Sequence, residues 1–305
     1  MLTVTVPDAG LRAQLADLAD RVEFVEWDLS FDLPRDVADR VEVVCIHHYA
    51  TQRDRWPRLS QLPALRYVQL PSAGFDHAVG FLPPGVVLLN GRGVHSTGTA
   101  ELGVALILAS QRGLPQAIAA QQEGRWSSPE LPSLADRRVL VVGAGSLAEA
   151  LVARLRPFEV ELTLVARTAR EGVHGIEELP ALLPVADIVV LAVPLNASTA
   201  GLIGATELAL MPDGALLVNI ARGKVVDTAA LLPELASGRL RAALDVTDPE
   251  PLPADHPLWH APNTLITAHQ GGNSDATAAR WAGLVRRQLK HILAGEEPGN
   301  VVAVG

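Results

Sequence analysis

The chain has 305 residues, of which 49% are hydrophobic, and its formal net charge is −9. This length exceeds the core of one typical domain, so we expect two domains with a cleft between them. The negative charge and the 4% content of aromatic residues argue against a general nucleic-acid-binding protein, and we find no apolar run of about 18 residues or more that would predict a membrane span.

The N-terminal segment is typical of a first strand, because it lacks the basic start and the long apolar core of a secretory signal. We therefore expect a cytoplasmic protein. The single cysteine, Cys45, cannot form an internal disulfide, and its apolar neighbours predict a buried strand position rather than a nucleophile. His, Cys, Asp and Glu form no cluster with ligand spacing, so we expect no metal site.

Short β-rich runs alternate with helical patterns in the first third of the chain, which predicts a small open-sheet domain. The candidate strands are residues 2–6, 22–27, 41–46, 66–70 and 86–89. A long apolar segment from about residue 99 to 122 follows, between capping candidates at its start and Gly124 at its end. It predicts one helix that is buried between two bodies.

From Arg138 onward the alternation of strand and helix patterns becomes regular, with candidate strands at 139–142, 162–165, 188–193, 215–219 and 242–245. Strands that are separated by helical crossovers pair in parallel, and ligands bind at their carboxyl ends. The proline-dense segment 249–262 predicts a surface loop.

A final helix is predicted from near Ser274 to Gly295, and its apolar stripe suits packing on the first domain. The stripe consists of Trp281, Val285, Leu289 and Ile292. The chain is thus predicted to be an α/β protein with a discontinuous domain of residues 1–96 and 275–305 and a second domain of residues 97–274. The first is expected to be a smaller, flavodoxin-like open sheet and the second a Rossmann-type, doubly wound parallel sheet.

A glycine-rich loop with the pattern G-x-G-x-x-A lies between a predicted strand and a predicted helix, the context of a dinucleotide-binding turn. Gly143 permits the tight turn, and Gly145 lets the backbone approach a pyrophosphate. Ser146 and Leu147 follow where the helix begins, so that backbone amides and the helix dipole can receive phosphates. A glycine turn without a ligand is the alternative for this motif taken alone.

The second strand of this domain ends in Arg167, Thr168 and Arg170, about twenty residues beyond the glycines, where an NAD site presents Asp or Glu. Two cations and a hydroxyl suit the 2′-phosphate of NADP, so we predict NADP as the cofactor, with NAD possible. The alternative is that both arginines are ordinary solvated surface charges.

Arg222, Glu250 and His269 each follow a predicted strand of the second domain. A fixed cation, a carboxylate and an imidazole are what a site needs to hold a 2-oxo acid and to protonate its carbonyl oxygen while hydride arrives. Each of them alone has a structural explanation, whereas together they indicate a catalytic site. His47 and His48 follow another strand and suit the mouth of the cleft, although loop histidines are more often simply solvated.

Five ordered segments resemble the D-2-hydroxyacid dehydrogenase family, which includes glycerate, glyoxylate/hydroxypyruvate and phosphoglycerate dehydrogenases. They are the glycine loop, Val193-Pro194 with Thr199, residues 211–223, Asp245 with residues 250–259, and His269. The resemblance is strong from about residue 99 to 272 and weak through the first domain. It implies a two-domain enzyme, usually a dimer, that acts on a small 2-oxo or 2-hydroxy acid in its cleft.

The resemblance also implies roles for the matching residues. Arg222 would bind the substrate carboxylate and keto oxygen, His269 would be the acid in reduction, and Glu250 would orient its imidazole and favour the charged form. The backbone amides of Ser72, Ala73 and Gly74 would complete the hydrogen bonds of the carboxylate. Asp245 would contact the nicotinamide carboxamide. The other positions expected to line the cofactor are Thr99, Val193, Pro194, Thr199, Ile220 and Gly271.

Two residues depart from the family pattern and leave the loop geometry and the pocket volume open. Ala268 stands where proline commonly precedes the catalytic histidine, and Thr247 replaces a frequent aromatic residue. We predict an NADPH-dependent reductase of a small 2-oxo acid such as glyoxylate or hydroxypyruvate. The alternative is a dinucleotide-sensing binding protein or corepressor on the same fold. Formate oxidation would not need the His–Glu pair, and a methyltransferase would leave all three catalytic candidates unexplained.

Overall fold

The computed structural model describes residues 1–46, 53–75 and 78–305 of the chain. It divides into two compact units, the first made of Met1–His95 with Asp275–Gly305 and the second of Ser96–Ser274. Each unit is an α/β fold with its own sheet. His47 and His48 lie outside the described residues.

The first unit has a six-stranded sheet in the order β13-β5-β4-β3-β1-β2. Its strands are β1 (Leu2–Val6), β2 (Val22–Glu26), β3 (Val41–Cys45), β4 (Tyr67–Gln69), β5 (Val87–Leu89) and β13 (Val301–Val304). Its helices are α1 (Ala9–Gln14), α2 (Arg35–Ala38) and α9 (Ala276–Ala294). β13 pairs antiparallel with β5, whereas the other neighbours pair in parallel. The order 2-1-3-4-5 is that of flavodoxin-like sheets, as predicted.

Helix α9 closes one face of this first sheet. Its apolar stripe is buried together with Leu2, Val4 and Val6 of β1, so the chain returns to the unit in which it began. The helix ends at Gly295, whose positive φ of 75° terminates the last turn in the way expected for a C-terminal glycine. The predicted extent of this helix is therefore confirmed at its C-terminal end and accurate to two residues at its start.

The second unit has a seven-stranded sheet in the order β12-β11-β10-β9-β6-β7-β8, and neighbouring strands pair in parallel. Its strands are β6 (Arg138–Val142), β7 (Glu161–Ala166), β8 (His174–Gly175), β9 (Ile188–Leu191), β10 (Leu216–Asn219), β11 (Arg241–Leu244) and β12 (Thr264–Ile266). Its helices are α3 (Ser96–Gln111), α4 (Leu114–Gln122), α5 (Ser146–Leu155), α6 (Leu179–Leu182), α7 (Ala205–Leu210) and α8 (Thr228–Ala236). This is the Rossmann order with one further strand at the edge.

The central strands of the second sheet are buried on both faces. Along β9, Val189 and Leu191 enter one apolar cluster, whereas Ile188 and Val190 enter the other. Successive side chains of a strand point to opposite faces, so an uninterrupted apolar run satisfies both helical layers at once. This is why the strands of the second domain were recognisable as continuous apolar runs.

The prediction of one helix over residues 99–122 is wrong, because the structure has two. α3 ends at Gln111, and α4 begins at Leu114 after Gly113, which adopts a left-handed conformation with φ of 56°. Pro115 occupies the first turn of α4, where its missing N–H costs nothing, and it could not continue α3. α3 packs against α5 within the second unit.

Several local features complete the fold. The short strands β8, β12 and β13 lie outside the predicted strand ranges. The proline-dense segment contains a single turn of 3₁₀-helix, Pro257–His260, which buries Leu258. None of the helices in the described ranges has both the length and the apolar character that crossing a membrane requires.

Candidate active site

The order of the second sheet brings the three catalytic candidates to the carboxyl ends of its strands, here called the carboxyl edge. Arg222 follows β10, Glu250 follows β11 and His269 follows β12, and these three strands are neighbours. Because they run parallel, the segments after them leave the sheet at the same edge, and adjacent strands are about 4.8 Å apart. The backbone of these segments therefore starts within roughly 10 Å of one another.

The loops after β10 and β11 touch through their backbones at Gly223. A Cβ atom at this position would lie 1.8 Å from the carbonyl oxygen of Thr247. The hydroxyl of Thr228 also donates to the carbonyl oxygen of Asp248, at 2.9 Å. Only glycine permits this approach, which holds Arg222 beside the loop that leads to Glu250.

The guanidinium of Arg222 is partly buried and is held by its own loop. Its Nη1 donates to the carbonyl oxygen of Ala221 at 2.7 Å, while the Asn219 side chain bonds the carbonyl of Arg222 and the amide of Ala221 at 3.0 Å each. No carboxylate in the described part of the chain forms an ion pair with Arg222. Its remaining N–H groups can therefore receive an anionic ligand.

His269 and Glu250 form a short hydrogen bond. Nδ1 of His269 lies 2.5 Å from Oε1 of Glu250, and the two side chains are 39% and 40% exposed. A carboxylate can only accept, so Nδ1 carries the proton of this bond. Proton exchange with a ligand therefore belongs to Nε2, the other ring nitrogen.

Asp245, only 2% exposed, organises the turn that carries His269. Its Oδ1 accepts hydrogen bonds from the Thr267 hydroxyl at 2.6 Å and from the Gln270 amide at 2.9 Å, and its Oδ2 accepts one from the Gly271 amide at 3.0 Å. Its backbone carbonyl receives the amide of His269 at 2.7 Å. Sequence reasoning assigned Asp245 to the cofactor alone and did not find this local role. The only signal was an acidic residue directly after an apolar strand.

The glycine-rich loop has the geometry of a phosphate-binding turn. Gly143 has φ of 132°, and a Cβ atom there would lie 2.4 Å from the carbonyl oxygen of Ala192. A Cβ atom at Gly145 would have no atom within 4 Å, so the backbone faces open space where α5 begins at Ser146. Ala148 is fully buried against the sheet. These features fit the pyrophosphate of a dinucleotide, and Ser146 and Leu147 contribute the first amides of the helix.

Arg167, Thr168 and Arg170 are exposed directly after β7. Nη2 of Arg170 donates to the carbonyl oxygen of Ala144 at 3.2 Å, so this guanidinium lies beside the glycine-rich loop. Neither arginine forms an ion pair with a carboxylate in the ranges that the structure describes. The two cations are therefore not neutralised by any carboxylate of those ranges.

The other predicted cofactor positions fall into three groups. Thr99 and Gly271 meet Asp245, because a Cβ atom at Gly271 would lie 2.9 Å from Asp245 Oδ2 and 3.0 Å from Thr99 Cγ2. Ile220 is buried against Gly103 of α3. In the loop after β9 the hydroxyl of Thr199 donates to the carbonyl oxygen of Pro194 at 2.6 Å, and the preceding Val193 packs on the apolar core. The hydroxyl of Thr199 is thus used within its own loop.

In the first unit, Ser72, Ala73 and Gly74 form a turn after β4, here called the 72–74 turn. All three carbonyl oxygens accept hydrogen bonds, from the Gly91 amide at 2.7 Å, from Asn90 Nδ2 at 2.8 Å and from the Ser72 hydroxyl at 2.8 Å respectively. The three amides donate to no acceptor among the residues that the structure describes. With respect to the described residues, the turn therefore presents three successive N–H groups without an acceptor, as an anion-binding concavity does.

Comparison with known proteins identifies the family. Residues 104–271 match the model of the D-isomer specific 2-hydroxyacid dehydrogenase NAD binding domain. A glyoxylate reductase from Thermofilum pendens is 32% identical over 321 aligned residues, which cover 99% of this chain and 93% of that protein. A D-3-phosphoglycerate dehydrogenase from Methanocaldococcus jannaschii is 34% identical over 72% of this chain, which spans only 43% of that longer protein.

The fold agrees with this assignment. A D-isomer specific 2-hydroxyacid dehydrogenase from Xanthobacter autotrophicus, solved in complex with NADPH and MES, superposes with a TM-score of 0.82 and 30% identity. The superposition covers 99% of this chain and 98% of that one. The chain therefore belongs to the D-isomer specific 2-hydroxyacid dehydrogenase family and is an NAD(P)-dependent dehydrogenase.

Proposed function

We propose that this protein is an NADPH-dependent reductase of small 2-oxo acids, with glyoxylate and hydroxypyruvate as the first candidates. The observation that carries the proposal is the His269–Glu250 hydrogen bond at the carboxyl ends of the strands. Arg222 lies in the loop after a neighbouring strand and has no carboxylate partner among the described residues. A similar chain is named as a glyoxylate reductase, which supports this choice of substrate. The second unit would bind the dinucleotide, and the first would contribute to substrate binding.

Arg222 is proposed to bind the substrate. A guanidinium offers parallel N–H groups that match a carboxylate or an adjacent carboxylate and keto oxygen, whereas an ammonium cannot form this planar pair. Its bond to the carbonyl of Ala221 restrains the guanidinium before a substrate arrives. The free amides of the 72–74 turn are the further donors that we assign to the carboxylate.

His269 is proposed to be the acid in reduction. Nε2–H would donate its proton to the carbonyl oxygen as negative charge develops there, and Nδ1–H would stay bonded to Glu250 throughout. Glu250 thereby stabilises the imidazolium before transfer and holds the ring in one orientation. In the reverse direction, neutral Nε2 would take the proton of the 2-hydroxyl group. A bound nicotinamide dinucleotide supplies the hydride that the carbonyl carbon receives.

The preference for NADPH is proposed from the segment after β7. Arg167, Thr168 and Arg170 offer two cations and a hydroxyl, and the guanidinium of Arg170 is already placed beside the glycine-rich loop. A dianionic 2′-phosphate would be attracted by these groups, and residues 167–170 themselves include no Asp or Glu. The similar enzyme from Xanthobacter autotrophicus was solved with NADPH, which supports this assignment.

The proposed reaction is tested by initial rates with a panel of 2-oxo acids, using both NADPH and NADH. His269→Gln should lower kcat by about a hundredfold or more, the usual contribution of a general acid. The same variant should bind NADPH as the wild type does, as measured by quenching of tryptophan fluorescence. A wild-type protein that binds NADPH but reduces no 2-oxo acid would instead support the dinucleotide-sensing alternative.

The cofactor assignment has its own test. Arg170→Gln should raise the KM for NADPH by roughly tenfold, the range of one hydrogen-bonded charge pair, and should leave the KM for NADH nearly unchanged. Arg112→Gln, which removes an arginine distant in sequence from the glycine-rich loop, serves as the control. Equal or better wild-type rates with NADH would refute the role given to Arg167 and Arg170.

We also propose that the protein forms a homodimer through the region of α4. Large apolar side chains are exposed there, namely Leu114, Ile118 and Leu131, and Trp126 is 97% exposed. Leu114 and Ile118 are four residues apart and therefore lie on one face of the helix. Ile118→Glu should convert a dimer into a monomer in light scattering coupled to gel filtration. A wild-type monomer at all concentrations would contradict this proposal.

A further inference from the structure

We propose that Thr267 is a positioning residue for the acid–base pair, acting through the buried carboxylate of Asp245. The inference rests on the proposed role of His269 and goes beyond it, because Thr267 itself is assigned no contact with substrate or cofactor. Thr267 opens the turn of residues 267–271, here called the histidine turn, which carries His269 to its contact with Glu250.

The backbone of His269 is in a conformation that needs support. Its φ is 47°, in the left-handed region that residues with a side chain rarely adopt. Such conformations persist only where the surroundings determine them. A proline before the histidine would restrain the chain through its ring, but this chain has Ala268 there, whose φ is free to rotate. The restraint must therefore come from noncovalent contacts.

Asp245 supplies those contacts on both sides of His269. Before the histidine, the Thr267 hydroxyl donates to Oδ1 at 2.6 Å, and the Thr267 amide donates to the carbonyl of Leu244 at 2.9 Å. After it, the amides of Gln270 and Gly271 donate to the carboxylate at 2.9 and 3.0 Å. Together with the bond from the His269 amide to the Asp245 carbonyl, these contacts tie the whole turn to the end of β11.

Among these donors, the Thr267 hydroxyl is the one that belongs to a side chain. It can therefore be removed by mutation while every backbone donor is kept. Asp245 is 2% exposed, so water cannot readily replace the lost partner, and hydrogen bonds to a charged group are stronger than neutral ones. Without the hydroxyl, the first half of the histidine turn is free to relax, and the Nδ1–Oε1 contact with Glu250 loosens.

A matched pair of variants tests this. Thr267→Val keeps the shape of the side chain and removes the hydroxyl, whereas Thr267→Ser keeps the hydroxyl and removes a methyl group. Thr267→Val should lower kcat by roughly tenfold to a hundredfold, the range for one lost hydrogen bond to a charged group. KM and the NADPH dissociation constant should change by less than about threefold, because Arg222 and the glycine-rich loop are untouched and Asp245 keeps its bonds from the Gln270 and Gly271 amides. Thr267→Ser should restore most of kcat.

A second measurement does not depend on turnover. The Nδ1–H proton of His269 should give a low-field NMR signal, assigned by its loss in His269→Gln. The signal should be present in the wild type and in Thr267→Ser and should broaden or vanish in Thr267→Val. Thr267→Ala provides a second variant without the hydroxyl if Thr267→Val does not fold.

The outcomes separate the two proposals. If the variants without the hydroxyl keep both kcat and the signal and only lose thermal stability, Thr267 is a structural residue and the inference is overturned. If the wild type reduces no 2-oxo acid, the proposed function fails. The NMR comparison still decides whether Thr267 holds the His269–Glu250 contact.

Discussion

The carboxyl edge of the second sheet and the 72–74 turn of the first unit are built on different principles. The first places polar side chains, Arg222, Glu250 and His269, after the ends of neighbouring parallel strands. The second presents backbone amides, while the carbonyl oxygens of the same residues accept hydrogen bonds from neutral groups. Reactive side chains can be recognised by their residue type, whereas every residue except proline has an amide. The difference explains why one region resembled its family clearly and the other only weakly.

Asn90 is to the 72–74 turn what Asp245 is to the histidine turn. It is 7% exposed, its Nδ2 donates to the carbonyl of Ala73, and its Oδ1 accepts from the Arg92 amide at 3.2 Å. Its own carbonyl accepts from Gln69 Nε2 at 3.1 Å and from Asn300 Nδ2 at 3.2 Å. Asn90 therefore connects the turn, through its side chain, with the C-terminal segment of the chain, through its backbone carbonyl.

The largest effect is expected from Gly223→Ala. The new methyl group would collide with the carbonyl of Thr247, so the loops after β10 and β11 must separate. We expect kcat to fall below detection and the unfolding temperature to drop by several degrees, as for other severe steric changes. Gly80→Ala is the control, because a Cβ atom there meets nothing within 4 Å. An active, stable Gly223→Ala protein would show that the close approach is not required.

Arg222→Lys is expected to have the next largest effect. The charge is kept but the planar pair of N–H donors is lost, so the KM for the 2-oxo acid should rise by roughly tenfold or more. Affinity for NADPH should stay within about twofold of wild type, because Arg222 is assigned to the substrate alone. Steady-state kinetics and fluorescence titration measure the two quantities. An unchanged KM would remove the substrate role of Arg222.

Asn90→Ala should give a smaller change of the same kind. Loss of the bond to Ala73 loosens the 72–74 turn, so KM should rise about three- to tenfold while kcat stays nearly constant, as for one neutral hydrogen bond. Asn300→Ala is the matched control, because it leaves the Asn90–Ala73 bond in place. Equal KM values for wild type and Asn90→Ala would mean that the turn does not contribute to substrate binding.

The smallest effect is expected from a change of Asp187, which directly precedes β9 and therefore lies at the amino ends of the strands, opposite the carboxyl edge. The Arg138 guanidinium and its amide hydrogen-bond the carboxylate and hold the pKa of Asp187 below its ordinary value. A lowered pKa in the folded state contributes stability above the ordinary pKa and loses it as the pH falls. Asp187→Asn should therefore cost at most about 1 kcal/mol of unfolding free energy near neutral pH.

This cost should vanish in acid, while kcat at neutral pH should not change, since Asp187 lies away from the carboxyl edge. Denaturant unfolding at several pH values measures the first effect, and steady-state kinetics measures the second. A cost that persists unchanged below about pH 3 would contradict the electrostatic explanation. A loss of kcat would show that the two edges of the sheet are coupled.

The sequence by itself determined the α/β class, most strands and the motifs of the second unit. These features are local patterns: apolar runs, the spacing of glycines and the residues after each strand. Local patterns involve residues that are close together along the chain, so they can be recognised from the sequence alone. It did not reveal the break between α3 and α4. The segment is apolar on both sides of Gly113, so its composition does not indicate the left-handed conformation of Gly113 or the position of Pro115 in the first turn of α4.

Only the tertiary structure decided what supports the candidate site. The Gly223–Thr247 approach, the hold of Asp245 and Thr267 on His269, and the link from Asn90 to Ala73 and Asn300 join residues that are distant in sequence. A hydrogen bond or a steric contact depends on the three-dimensional distance between atoms, which residue spacing along the chain does not record. The candidate catalytic groups are therefore visible in the sequence, while the groups that contact and support them are identified only when the strands lie side by side.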